Sequence, residues 1–91
     1  MEHFIQFINA IEDDSRIVAT HISIYMVLLD QYEHHQKNPI TIKRDEVMFR
    51  AKIHARHTYN VCMNQLHEYG YIKYHPSSNP NEGSQVYLLI S

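Results

Sequence analysis

The chain of 91 residues has little of what disulfide-stabilised, cofactor-binding and membrane-spanning proteins need. One cysteine, Cys62, excludes an intramolecular disulfide framework, and its helical spacing predicts a buried thiol in a reducing compartment. Two glycines leave no glycine-rich phosphate loop, and neither a nucleophile elbow nor His-Glu-x-x-His occurs. The longest apolar run, Ile24 to Leu29, is too short to span a bilayer, and Met1 to Ile11 lacks a signal peptide's basic start. We expect a cytoplasmic, non-enzymatic domain without a cofactor or membrane anchor.

Histidine is the abundant metal-ligating residue type, with 8 residues. His54-x-x-His57 and the adjacent His34-His35 could each bring two imidazoles together, but no cysteine or carboxylate at ligand spacing completes a tetrahedral set. The sequence therefore predicts no metal site. His21 and His67 lie on or beside apolar stripes, so we expect them to be core or boundary residues.

Charge is distributed unevenly along the chain, although the net charge is only −2. Residues 1–38 contain six acidic and two basic residues, a balance that repels phosphate. Residues 39–60 contain Asp45 and Glu46 as their acidic residues against five basic ones, which are Lys43, Arg44, Arg50, Lys52 and Arg56. A nucleic-acid partner, if there is one, should bind this central basic segment.

Hydrophobic periodicity predicts one α+β domain with the element order helix, helix, strand, helix, helix, strand, strand. Residues 1–14 supply the first helix and a polar break, in which Asp13 and Asp14 are expected to cap a helix or to be solvated; residues 15–91 supply the core. The predicted helices cover His3–Ile11, Ile17–His35, Arg44–Lys52 and residues 56–69. The predicted strands cover Ile40–Ile42, Tyr71–His75 and Gln85–Ile90, the last two forming a hairpin around the loop Pro76–Ser84.

Two helices joined by a three-residue turn and followed by a hairpin form an arrangement in which the second helix enters the DNA major groove. The polar face of the fourth predicted helix, which also includes Gln65, should read bases, and the flanking basic residues should hold phosphates. A solvated helix face and a plain hairpin turn are the alternatives. The candidate DNA-binding residues are Arg44, Arg50, Lys52, His54, Arg56, His57, Thr58, Asn60, Asn64 and Lys73.

The stretch from Thr58 to Tyr74 resembles the junction between recognition helix and wing in winged helix-turn-helix regulators, because Leu66-x-x-x-Gly70-Tyr71-Ile72 leads into a basic strand. It is similar to small winged-helix proteins of Bacteroidetes encoded with mobile elements, which share a Leu-His-Glu-x-Gly-Tyr-Ile core and a Pro-Ser-x-Asn-Pro wing. The likeness covers roughly residues 15–90. It implies double-stranded DNA binding in transcription, or in excision or replication of a mobile element. The chain departs from the pattern at His54-Ala55, where Gly or Ser is more usual, and at Lys43, where a Ser or Thr cap is common.

The first predicted helix is the candidate surface for a homodimer, which would read two DNA half-sites. Its apolar residues exceed what one side of a small core needs, although packing within the monomer is an equal possibility. These residues are Phe4, Ile5, Phe7, Ile8 and Ile11.

A non-catalytic protein–protein interaction module is the alternative function, and the acidic first half of the chain favours it. The two functions differ in the surface they need. A continuous basic strip supports DNA binding and a broken one supports a protein partner. The residues of that strip would be Arg44, Arg50, Lys52, Arg56 and Lys73.

Overall fold

A computed structural model describes residues 2–79 and 82–89 of the chain. Within these ranges the protein is a small α+β fold of four helices and one three-stranded antiparallel sheet. In chain order the elements are α1 (Glu2–Ile11), α2 (Ala19–His35), β1 (Ile40–Ile42), α3 (Arg44–Ala51), α4 (Arg56–Glu68), β2 (Ile72–His75) and β3 (Ser84–Leu88). This order is the one that hydrophobic periodicity predicts.

The helix boundaries differ slightly from the predicted ones, and each difference has a local backbone cause. Helix α2 begins at Ala19 rather than Ile17, because Val18 is extended (φ −122°, ψ 175°). Helix α3 stops before Lys52, which adopts the left-handed conformation (φ 64°). Helix α4 stops just before the predicted Tyr69, and Gly70 follows at φ 89°, where a residue without a Cβ has no steric penalty.

The strands form a sheet in the order β1-β3-β2, so the last strand is the central one. Val86 of β3 pairs with Ile40 of β1 on one side and with Tyr74 of β2 on the other. Strand β2 begins one residue later than predicted. Strand β3 begins at Ser84, within the predicted loop, and the predicted strand residue Ile90 lies outside the described residues, as do Pro80 and Asn81 of the loop.

One face of the sheet and the apolar faces of α2 and α4 form the core. Alternation along the strands turns one set of residues inward and leaves the other face to solvent. The inward residues of the sheet are Ile40, Ile42, Ile72, Val86 and Leu88. The helices contribute Ile24, Leu28, Tyr59, Met63 and Leu66, all fully buried.

Helix α1 is attached to this core mainly through Phe7. The Phe7 ring stacks on Tyr25 of α2 with centroids 3.8 Å apart, and its edge meets Tyr71 at 5.7 Å. Ile5 and Ile8 remain 55% and 37% exposed. The predicted apolar face of α1 is therefore only partly covered within the monomer.

Asp14, in the segment between α1 and α2, forms hydrogen bonds that connect this segment to the one that joins α4 to β2. Its carboxylate accepts hydrogen bonds from Arg16 Nε (2.8 Å), Arg16 Nη2 (2.9 Å) and the Tyr71 hydroxyl (2.6 Å). Arg16 also lies over the Tyr69 ring, 4.2 Å from its centroid. The bonds from Arg16 and then Tyr71 hold the pKa of Asp14 well below its usual range. Asp14 thus joins two parts of the chain, a role beyond the capping or solvation expected of it.

Candidate nucleic-acid interface

Helices α3 and α4 are joined by a short turn that contains no glycine. Lys52 takes the left-handed conformation at the end of α3, and its N–H donates to the Phe49 carbonyl (3.3 Å). The next N–H, from Ile53, donates to the Met48 carbonyl at 2.9 Å, and the Ile53 side chain packs against the core. These bonds satisfy the last carbonyls of α3 and set the direction in which α4 begins.

The face of α4 opposite its buried stripe contains four of the ten side chains predicted to contact DNA. Helical spacing of four residues aligns Arg56, Asn60 and Asn64 along this face, and His57 lies beside them. All four are exposed, and none makes a side-chain hydrogen bond or ion pair within the described residues. The same holds for Thr58 and for His54 in the preceding turn. The structure therefore brings together these predicted residues as an unengaged polar surface.

Gln65 does not belong to that surface, contrary to the expectation from its position in the sequence. Its Oε1 accepts a hydrogen bond from Nε2 of His21 on α2 (2.7 Å). Because the Val18 N–H donates to Nδ1 of the same ring (3.0 Å), the ring proton lies on Nε2. His21 is buried, so its prediction as a core residue is confirmed. Gln65 helps to hold α4 against α2 instead of facing a ligand.

The basic residues around α3 differ in how freely they could meet a phosphate. Arg44 Nε lies 3.2 Å from Oδ1 of Asp45, and Arg50 donates to the Asp30 carboxylate on α2. The bond from Arg50 lowers the pKa of Asp30. Lys52 has no carboxylate partner within residues 2–79 and 82–89, and its Nζ lies 5.4 Å from the centroid of the Phe49 ring.

The start of α4 is free of opposing charge over a long stretch of sequence. No Asp or Glu lies between Glu46 and Glu68, a span that includes the turn and nearly all of α4. Lys52 and Arg56 are exposed cations of this span without an ion-pair partner among the described residues. These two side chains therefore put positive charge at the start of α4, although the net charge of the chain is negative.

Lys73 lies apart from the α4 surface. Strand alternation puts it, with His75, on the outer face of the sheet, whereas Ile72 and Tyr74 point to the other side. Lys73 is paired in register with Tyr87 of β3. The basic strip anticipated from the sequence is thus interrupted by the ion pairs of Arg44 and Arg50 and by the separate position of Lys73.

The histidines do not assemble into a metal centre in the part of the chain that the structure describes, where no group of three His, Cys, Asp or Glu side chains is placed to hold an ion. His67 is exposed and accepts a hydrogen bond from the Tyr74 N–H through Nδ1 (3.0 Å), which links α4 to β2. Cys62 is buried on α4, as predicted, and burial raises the pKa of its thiol.

A cavity of about 370 Å³ lies beside the α4 surface, and no sequence pattern predicts it. Its walls come from the start of α3, from Tyr59 and Asn60 of α4, and from the hairpin around Tyr74 and Ser77. Tyr59 belongs to the buried stripe of α4 and is 1% exposed. Only the three-dimensional arrangement shows that it also borders a cavity.

Two further findings concern the chain as a whole. Among the described residues, no helix combines the length and the apolar character needed to cross a bilayer. The chain matches no protein-family model, no curated protein and no solved structure.

Proposed function

We propose that the protein is a winged helix-turn-helix domain that binds double-stranded DNA, acting in the cytoplasm as a transcriptional regulator or as an accessory protein of a mobile element. The observation that carries the proposal is the exposed face of α4, whose Arg56, His57, Asn60 and Asn64 have no partner among the described residues. The order of α3, turn, α4 and hairpin supports it, as does the resemblance described for residues 15–90.

In this proposal α4 lies in the major groove. Arginine pairs with the guanine edge through two hydrogen bonds and asparagine pairs with adenine, so Arg56 and Asn60 near the helix start are the base-reading residues. Lys52 in the turn faces the backbone and contributes to affinity without sequence preference. Lys73 and the hairpin loop act only if the sheet's outer edge approaches the neighbouring phosphates.

A protein–protein interaction module is the second candidate, and two observations favour it. The Phe49 ring on α3 is 76% exposed, which is unusual for so large an apolar side chain. The interruption of the basic strip at Arg50 and Lys73 is the second observation, because a continuous strip would have supported DNA more strongly.

A homodimer through α1 would suit a DNA-binding function. Ile5 and Ile8 leave an apolar surface on α1 that a second copy would cover. Sedimentation velocity of the wild type and of Ile5→Ser/Ile8→Ser tests it: concentration-dependent dimerisation that the double variant loses supports the contact, and a monomeric wild type rejects it.

Fluorescence anisotropy with mixed-sequence duplex DNA tests the proposed function. We expect binding that weakens as salt rises, because Lys and Arg release counterions from phosphates. Arg56→Ala should reduce sequence preference, and Lys52→Ala should weaken binding to all duplexes alike and flatten the salt dependence by about 0.9 in slope. Lys37→Ala, which removes the same charge from the exposed segment after α2, is the control and should bind as wild type does. A wild type that does not bind at low salt would instead support the protein-partner function.

A further inference from the structure

The cavity beside α4 is lined by hydrogen-bond donors that have no acceptor among the described residues. Lys43 occupies the N-cap position of α3, with an extended backbone and no side-chain cap hydrogen bond. The first hydrogen bond of the helix runs from the Val47 N–H to the Lys43 carbonyl (3.0 Å). The N–H groups of the three preceding residues therefore remain available, and Lys43 and Arg44 form part of the cavity wall.

A second, independent observation concerns Tyr59 in the wall of the cavity. Tyr59 is 1% exposed, yet its hydroxyl has no hydrogen-bond partner among the described residues. Burial raises the pKa of this hydroxyl, with Tyr74 adding to the rise and Arg44 opposing it, so it keeps its proton and can only donate to an anion. Because Tyr59 lines the cavity, the cavity is the space in which this hydroxyl can donate to a bound group.

The charges around the cavity select among anions. Lys43 and Arg44 are balanced by Asp45 and Glu46, and the Asp45 side chain is 86% exposed and paired with Arg44. A dianion would meet no net positive charge there. A group with one negative charge and two acceptor oxygens suits the free N–H groups and the tyrosine hydroxyl better.

We propose that this cavity binds one phosphodiester group of the DNA backbone, with the Tyr59 hydroxyl and the first-turn N–H groups of α3 donating to its non-bridging oxygens. The proposal rests on the proposed function, since Asn60 of the DNA-reading face borders the same cavity. It makes Tyr59 a residue with two roles: its ring belongs to the core, and its hydroxyl fixes the register of α4 on the duplex.

The test combines Tyr59→Phe with a scan of neutral methylphosphonate linkages along a bound duplex. A hydrogen bond to a charged group contributes enough that its loss should weaken binding on the order of tenfold. One methylphosphonate position should weaken binding by the wild type and have little further effect on Tyr59→Phe. Tyr25→Phe is the matched control, because Tyr25 is also buried but lies against Phe7 on α2 and does not line the cavity.

The outcomes separate this proposal from the function on which it rests. Salt-dependent duplex binding that is equal in the wild type, Tyr59→Phe and Tyr25→Phe would overturn the phosphate site while leaving DNA binding intact. Absence of duplex binding by the wild type would reject the proposed function itself. Tyr59→Phe could also weaken binding while each methylphosphonate position has the same effect on the variant as on the wild type. That result would overturn the site, because the hydroxyl would then not act on any of the scanned phosphates. Saturable, Tyr59-dependent binding of dimethyl phosphate without any coupling to DNA would assign the cavity to a free phosphodiester instead.

Discussion

Arg50 on α3 forms an ion pair with Asp30 on α2 and is therefore not free to bind a phosphate at the candidate DNA-binding surface. Arg50 donates to the Asp30 carboxylate, and this bond keeps the pKa of Asp30 low, so the carboxylate remains charged at neutral pH. Both side chains are partly exposed, so breaking the pair should cost little stability. We predict that Asp30→Asn, which keeps the size of the side chain and removes its charge, frees Arg50 to meet a phosphate.

The expected size of the effect follows from the number of available cations. Lys43 and Lys52 have no carboxylate partner in the described part of the chain, whereas Arg56 is assigned to a base, and each phosphate contact contributes about 0.9 to the slope of log affinity against log salt. Two contacts make the wild-type affinity fall about 12-fold between about 50 and 200 mM salt. A third contact, from Arg50, raises that loss to about 40-fold.

Anisotropy titrations of one mixed-sequence duplex at several salt concentrations give the slope of log affinity against log salt for the wild type and for each variant. Asp13→Asn is the matched control, because it changes the net charge equally but lies in the exposed break between α1 and α2. We expect a steeper line for Asp30→Asn and a slope unchanged from wild type for Asp13→Asn. Parallel lines for the two variants would refute the reasoning and exclude Arg50 from the phosphate-binding residues.

Two further predictions concern stability. Phe7→Ala should lower the free energy of unfolding by about 3 to 4 kcal/mol, because the burial of the ring and its stack on Tyr25 are lost. Helix α1 should detach first, so amide exchange should rise in α1 at urea concentrations below the midpoint of global unfolding. A uniform rise in exchange across all helices would contradict this. Because the pKa of Asp14 is lowered in the folded state, its carboxylate stabilises the fold above about pH 4, and this stabilisation is lost as the pH falls further. Urea unfolding should therefore show less acid destabilisation for Asp14→Asn than for the wild type. Equal pH profiles would argue against the bonds from Arg16 and Tyr71.

Local sequence patterns were sufficient for the element order, because each signal acts within a few residues. Gly70 marks the end of α4, and the β-branched run Ile40–Ile42 forms a strand as predicted. The helix-turn-helix order and the exposed polar face of α4 follow from the same periodicity. The exact ends of α2 and α3 depend on the conformations of Val18 and Lys52, which residue types alone do not determine.

The details of the candidate site depend on contacts between residues far apart in sequence. Gln65 faces His21 across 44 positions, and Asp30 meets Arg50 across 20, so periodicity could not show that either side chain was already engaged. Tyr59 lies at the helical spacing of the buried α4 stripe, but its place beside a cavity depends on the hairpin folding back towards α3. Secondary structure is encoded locally, whereas the availability of a polar side chain is decided by tertiary packing.

The central position of β3 also affects the order of events during synthesis on the ribosome. In the described part of the chain, β1 and β2 pair with β3 and not with each other, so neither gains this neighbour until Ser84–Leu88 has left the exit tunnel. The four described helices emerge earlier. Ile40 can pair only after Val86 has been synthesised, and this pairing closes a loop from residue 40 to residue 86. The nascent chain therefore exposes two unpaired strands, and translation pausing within the hairpin should prolong that exposure.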